Sequence, residues 1–91
     1  MTQYEQQIES GKEIVWGIIF DLAAEFGKPQ FCDPTFMVTD QDFDRDLVSV
    51  LYGSRILAKI ERDDLADCLA DRGVRRTLEK HLRRAIEANG N

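Results

Sequence analysis

The sequence predicts an α+β fold: an N-terminal helix, a β-hairpin that a third short strand would widen, and two C-terminal helices packed on a small antiparallel sheet. Three observations carry that expectation. A stretch of helical period runs from Ile8 to Phe26 and stops at Gly27-Lys28-Pro29. Two alternating segments flank Gly53-Ser54. Helical spacing then resumes after residue 63 and holds to about residue 88. A chain of 91 residues is expected to form one small domain, residues 1–91.

The first helix has its signals at both ends. Thr2 with Glu5, and Ser10 with Glu13, have capping-box spacing. Ile8, Val15, Ile19, Leu22 and Phe26 share one face, with Trp16 and Ala23 beside it. Gly27 occupies the place of a left-handed cap, and Lys28-Pro29 stops the helix. The expected helix covers residues 11–26, with an extension back to residue 3 left open. Residues 14–20 (IVWGIIF) compete as a strand, being continuously apolar with four β-branched positions. The caps and the length favour the helix. Ile14 and Phe20 lie off the main stripe, which points to deep burial or to a second contact surface.

Residues 27–35 read as a loop with two prolines, and residues 36–39 as a short strand. Two readings meet in the next segment. Thr39 with Asp42, followed by Phe43, Leu47 and Val50, offers a capped helix. Val48, Val50 and Tyr52 alternating with Leu47, Ser49 and Leu51 offer a strand. The strand is preferred, because Gly53-Ser54 is a two-residue turn with glycine first. Beyond it Ile56, Ala58 and Ile60 alternate with Leu57 and Lys59. A lone hairpin is weak, so a third strand from residues 35–39, or one from a second subunit, would support it.

Asp63 or Asp64 is expected to cap the next helix. Its apolar face is Leu65, Ala66, Cys68 and Leu69, and Arg72-Gly73 ends or bends it. Val74, Leu78, Leu82, Ala85 and Ile86 continue the period to residue 88, and residues 89–91 fray.

Several chemistries find no support. The two cysteines, Cys32 and Cys68, form no Cys-x-x-Cys pair, and with His81 they supply too few ligands for a structural zinc site. Cys68 fits a small core residue better than a nucleophile paired with His81. Asp40, Asp42 and Asp44 resemble the opening of a calcium loop, but Arg45 stands where glycine is required and Leu51 where glutamate is. There is no nucleophile elbow, zinc-protease motif or phosphate loop. The expectation is therefore a non-enzyme without cofactor or metal. No apolar run approaches the ~18 residues a membrane span needs. The first 13 residues are polar and acidic, unlike a secretory signal. A cytoplasmic protein with reduced thiols and no membrane partner follows.

The net charge of −5 conceals a division. Residues 1–71 hold six cations against fifteen acids, a net of −9. Residues 72–91 hold Arg72, Arg75, Arg76, Lys80, Arg83 and Arg84 against Glu79 and Glu87, a net of +4. The basic stripe has three readings: a solvated outer face with cations near a helix C-terminus, a contact for an acidic surface, or a phosphate-binding surface. Asp40, Asp42, Asp44 and Asp46 form one acidic row and Asp63, Asp64, Asp67 and Asp71 another. Such rows can imitate nucleic-acid phosphates and attract a basic groove.

Two resemblances attach to these residues. In size and charge the chain resembles the small acidic inhibitors encoded by phages and mobile elements, anti-CRISPR proteins among them. Residues 63–86 (DDLADCLADRGVRRTLEKHLRRAI) resemble a helix-turn-helix, with Arg75, Arg76 and Thr77 next to the turn. The first reading is a protein-binding module, an inhibitor or adaptor acting on a nucleic-acid-binding partner. It would use the acidic rows and an apolar interface of Trp16, Phe20 and Tyr52. A small core also suggests a homodimer, through the wide apolar helix or an open hairpin edge. The alternative is a nucleic-acid-binding regulator using the basic C-terminal helix.

Overall fold

The computed structural model of the chain describes residues 2–31, 34–39, 47–52 and 55–89. The elements run α1 (Gln3–Glu25), a 3₁₀ turn (Pro29–Phe31), β1 (Thr35–Thr39), β2 (Leu47–Tyr52), β3 (Arg55–Glu61), α2 (Arg62–Asp67) and α3 (Arg72–Ala88). This is the α+β arrangement that the patterning predicts, with the third strand supplied by the chain itself. The acidic stretch 40–46, Cys32 and the Gly53-Ser54 turn lie outside the described residues.

α1 takes the longer of its two expected extents. Thr2 Oγ1 accepts from the Glu5 amide at 3.1 Å, so the first capping pair starts the helix and the second falls inside it. Gly27 has φ +65 and closes the far end, because glycine carries no Cβ to clash there. Residues 14–20 are helical throughout, and the caps at either end override their β propensity.

The sheet has the order β1-β2-β3, antiparallel throughout. Val48 pairs with Ile60 and Val50 with Ala58, and all four side chains enter the core. The alternation expected in β3 breaks at Leu57. Leu51 pairs with Ile56, so Leu57 is an extra residue and the strand bulges. The bulge shifts the phase: Leu57 is 6 % exposed, whereas Ile56, expected beside Ala58 and Ile60, is 52 % exposed.

The C-terminal helices also divide differently from expectation. α2 follows β3 directly, its N-cap residue Glu61 makes no side-chain cap bond, and Asp63 and Asp64 lie within its first turn. Residues 68–71 form the turn. Asp71 then caps α3 by accepting from the amides of Gly73 (2.8 Å) and Val74 (3.3 Å). Arg72-Gly73 therefore opens a helix rather than ending one, and Leu69 is exposed in the turn.

One cluster joins the elements. Ile8, Val15, Ile19, Leu22 and Ala23 of α1 meet Leu65, Ala66 and Cys68, then Leu78, Leu82 and Ile86 of α3, over the inner face of the sheet. Phe31, fully buried, belongs to the same cluster.

Candidate interaction surfaces

Glu9, Glu13, Trp16 and Phe20 fall within about 60° of arc on α1 at 3.6 residues per turn. They point away from the buried row. Trp16 and Phe20 are 42 % and 48 % exposed, and their rings stack with centroids 5.6 Å apart and planes 25° apart. Trp16 also lines a shallow depression of about 310 Å³ with Glu9, Lys12, Glu13, Pro34 and Phe36. Two aromatic anchors thus stand beside an apolar floor whose rim carries Glu13 and a Glu9–Lys12 ion pair of 3.0 Å. Trp16 and Phe20 are the residues singled out from sequence. Glu9 and Glu13 escaped that reading, although the same period places them on the stripe. Tyr52 does not join them. It is half-buried, and its ring meets Phe31 edge-on at 4.5 Å.

The acids of α2 adjoin the start of α1, where the Tyr4 hydroxyl donates to Asp63. Asp63 and Asp67 are exposed. Asp64 is half-buried, and its carboxyl is pushed above its ordinary pKa, first by desolvation and then by Glu61, Asp67 and Asp63. Asp71 is committed to its cap. Asp40, Asp42, Asp44 and Asp46 lie outside the described residues.

The six cations of α3 separate into two groups. Arg75 turns back onto the end of α2, donating from Nε to the Cys68 carbonyl (3.2 Å) and from Nη2 to the Leu69 carbonyl (3.0 Å). Arg83 pairs with Glu25 of α1 at 3.1 Å and with Glu79 at 3.5 Å, and its guanidinium lies 5.8 Å from the Phe26 ring centre. Those two make their contacts within the fold, Arg75 to carbonyls and Arg83 through exposed ion pairs. Arg72, Arg76, Lys80 and Arg84 are exposed and make no ion pair with any described residue.

Cys68 is fully buried. Its thiol donates to the Leu65 carbonyl at 3.2 Å, with the Gly11 carbonyl at 3.9 Å, and burial pushes its pKa up. It is the core residue expected, while His81 is exposed on α3. Among the described residues no three His, Cys, Asp or Glu side chains group as metal ligands. No described helix is long and apolar enough to cross a membrane.

Comparison with protein-family models, curated proteins and solved structures finds no match.

Proposed function

We propose that the chain is a protein-binding module, not an enzyme, that engages a basic partner through the outer face of α1. The observation that carries this is the stacked, exposed Trp16–Phe20 pair beside the depression floored by Pro34 and Phe36. Large aromatics dominate the energetics of interfaces when a partner covers them. The charge of the rim chooses the partner. Glu9 and Glu13 stand on the stripe, with Lys12 paired to Glu9 beside them, and the acids of α2 lie on another side of α1, where Tyr4 meets Asp63. A cationic surface with an apolar anchor fits this face, and the groove of a nucleic-acid-binding protein is such a surface. A module of this kind acts by occupying its partner, as an inhibitor or an adaptor does. Size and acidity support the same reading.

The test is affinity capture from nuclease-treated native lysate, with wild type, Trp16→Ala/Phe20→Ala and Glu9→Gln/Glu13→Gln compared. A basic protein retained by wild type and lost with both variants, each folded by circular dichroism, is the expected outcome. Equal recovery by all three proteins would sink the reading. Light scattering on the same variants tests the homodimer. A dimer that Trp16→Ala/Phe20→Ala converts to monomer makes this face a self-interface instead.

A further inference from the structure

We infer that α3 carries a second interaction surface, a basic ridge that binds the phosphate backbone of duplex nucleic acid without reading its sequence. The ridge is Arg72, Arg76, Lys80 and Arg84, spaced every four residues along one helix. Leu78, Leu82 and Ile86 form the buried row of the same helix at the same spacing. The two rows are offset by two residues, about 200° around the axis. The ridge therefore lies on the side away from the core, winding through about 120° from Arg72 to Arg84. Four residues rise about 6 Å, so the four cations span about 18 Å, a length over which one strand of B-form DNA presents about five phosphates.

Three features of the structure favour a polyanion over plain solvation. First, the cations that serve the fold, Arg75 and Arg83, are different ones, and removing them from the set leaves an ordered row rather than a scatter. Second, the row begins at the wrong end for stability. α3 starts at Arg72, with no acid in its first turn. Arg72 thus sits where the helix dipole disfavours positive charge. A cation there opposes folding, and because the Asp71 carboxylate already occupies the amides of Gly73 and Val74, the pull on an anion comes from the ridge side chains themselves. Third, the acids of α3 do little to neutralise the ridge: Glu79 is held by Arg83, and Glu87 arrives only in the last turn.

The choice of duplex over single strand rests on composition. Single-stranded sites stack bases on aromatic rings, and α3 (RGVRRTLEKHLRRAIEA) contains no Phe, Tyr or Trp. An evenly spaced, gently winding row of point charges matches a regular backbone. Phosphate contacts of this kind position a protein without specifying a sequence. The acidic remainder of the chain weakens the attraction only within a Debye length, about 8 Å at physiological salt.

The experiment is fluorescence anisotropy of a labelled mixed-sequence 20-base-pair duplex titrated with the full chain at several potassium chloride concentrations. Four phosphate contacts give a slope of log affinity against log salt of about −3.6, or a loss of about 150-fold between 50 and 200 mM salt. Arg76→Gln/Arg84→Gln lowers the slope by about 1.8 while the thermal melt stays unchanged, because neither side chain pairs within the fold. Trp16→Ala/Phe20→Ala leaves duplex binding intact, which separates this surface from the one on α1. Three results overturn the inference: no binding at 50 mM salt, a slope insensitive to the ridge variants, or polyglutamate binding as tightly as duplex. The last would assign the ridge to an acidic protein surface. A single-stranded oligonucleotide binding more tightly than duplex, with a slope near −2.8, would overturn the choice of duplex.

Discussion

Gly11 of α1 lies directly against the backbone carbonyl of Leu65 in α2, so closely that a Cβ on Gly11 would overlap the carbonyl oxygen. The obstruction is backbone, which cannot rotate aside as a side chain can. Gly11→Ala is therefore expected to push α2 off α1 and to cost about 3 kcal/mol or more. Gly17 is the control. It sits in the same helix with open space at its Cβ position, so Gly17→Ala is expected to stabilise by about 0.5–1 kcal/mol. Urea denaturation of the two variants checks both signs. Destabilisation of similar size by both would mean that α1 and α2 do not meet at Gly11.

The division of the α3 cations predicts opposite outcomes for adjacent arginines. Arg75 satisfies two carbonyls at the end of α2 that no helical amide reaches. Arg75→Ala is expected to cost about 1 kcal/mol or somewhat more, lowering Tm by about 4–8 °C in a domain this small. Arg75→Lys recovers only part, because an ammonium cannot present two donors in a fixed fork. Arg76→Ala stays within about 0.5 kcal/mol of wild type. A differential scanning calorimetry trace for each variant checks the ordering, and an equal shift for Arg75→Ala and Arg76→Ala would refute it.

The features legible from sequence are those set by local chemistry. Gly27 bounds α1 through a left-handed turn written in the adjacent residues, whereas of the two capping pairs the spacing offers, Ser10–Glu13 falls inside the helix and Thr2 starts it. The alternation on either side of residues 53–54 gave the hairpin, and β1 followed from the need for a third strand. Features that depend on partners distant in sequence were not legible. The bulge at Leu57 is set by pairing with β2, so a period-2 reading of β3 places Ile56 on the wrong face. Arg72-Gly73 has the form of a helix end, and only the Asp71 cap makes it a beginning. The same limit applies to the surfaces. Trp16 and Phe20 were visible as surplus aromatics. That Arg75 and Arg83 serve the fold depends on carbonyls and on Glu25 from other elements.

Ser49 is fully buried on β2, and its Oγ finds no hydrogen-bond partner among the described residues. Its backbone pairs with Met37 on one side and Lys59 on the other, so the ladder does not require the hydroxyl. An unsatisfied buried hydroxyl costs about 1–3 kcal/mol. Ser49→Ala is expected to leave stability unchanged or raise it by about 1 kcal/mol, read as an upward shift in the urea midpoint at constant m. A loss of more than about 1 kcal/mol would show that the hydroxyl is partnered after all.

Asp64 and Cys68 both have raised pKa values and both contribute to the pH dependence in the same direction. Desolvation, then Glu61, Asp67 and Asp63, raises Asp64 above 3.8, so the folded chain holds that proton more tightly than the unfolded one. Its contribution is complete below the unfolded value and is lost as pH rises through the folded one. Asp64→Asn is therefore expected to be more stable than wild type at neutral pH, with the gap closing as pH falls toward 4. Placement in the first turn of α2 opposes this, because the helix dipole favours a carboxylate there, and so keeps the gain small. Burial likewise raises Cys68 above 9.0. The neutral thiol stabilises the fold at all lower pH, and that contribution disappears as pH climbs past the folded value. In a Cys32→Ser background, Cys68 is expected to react with a thiol reagent only at the rate of global unfolding, while Cys68→Ala removes the thiol's share of the alkaline loss of stability. Rapid labelling of Cys68 in the native protein at neutral pH would contradict its burial beneath Gly11 and Leu65.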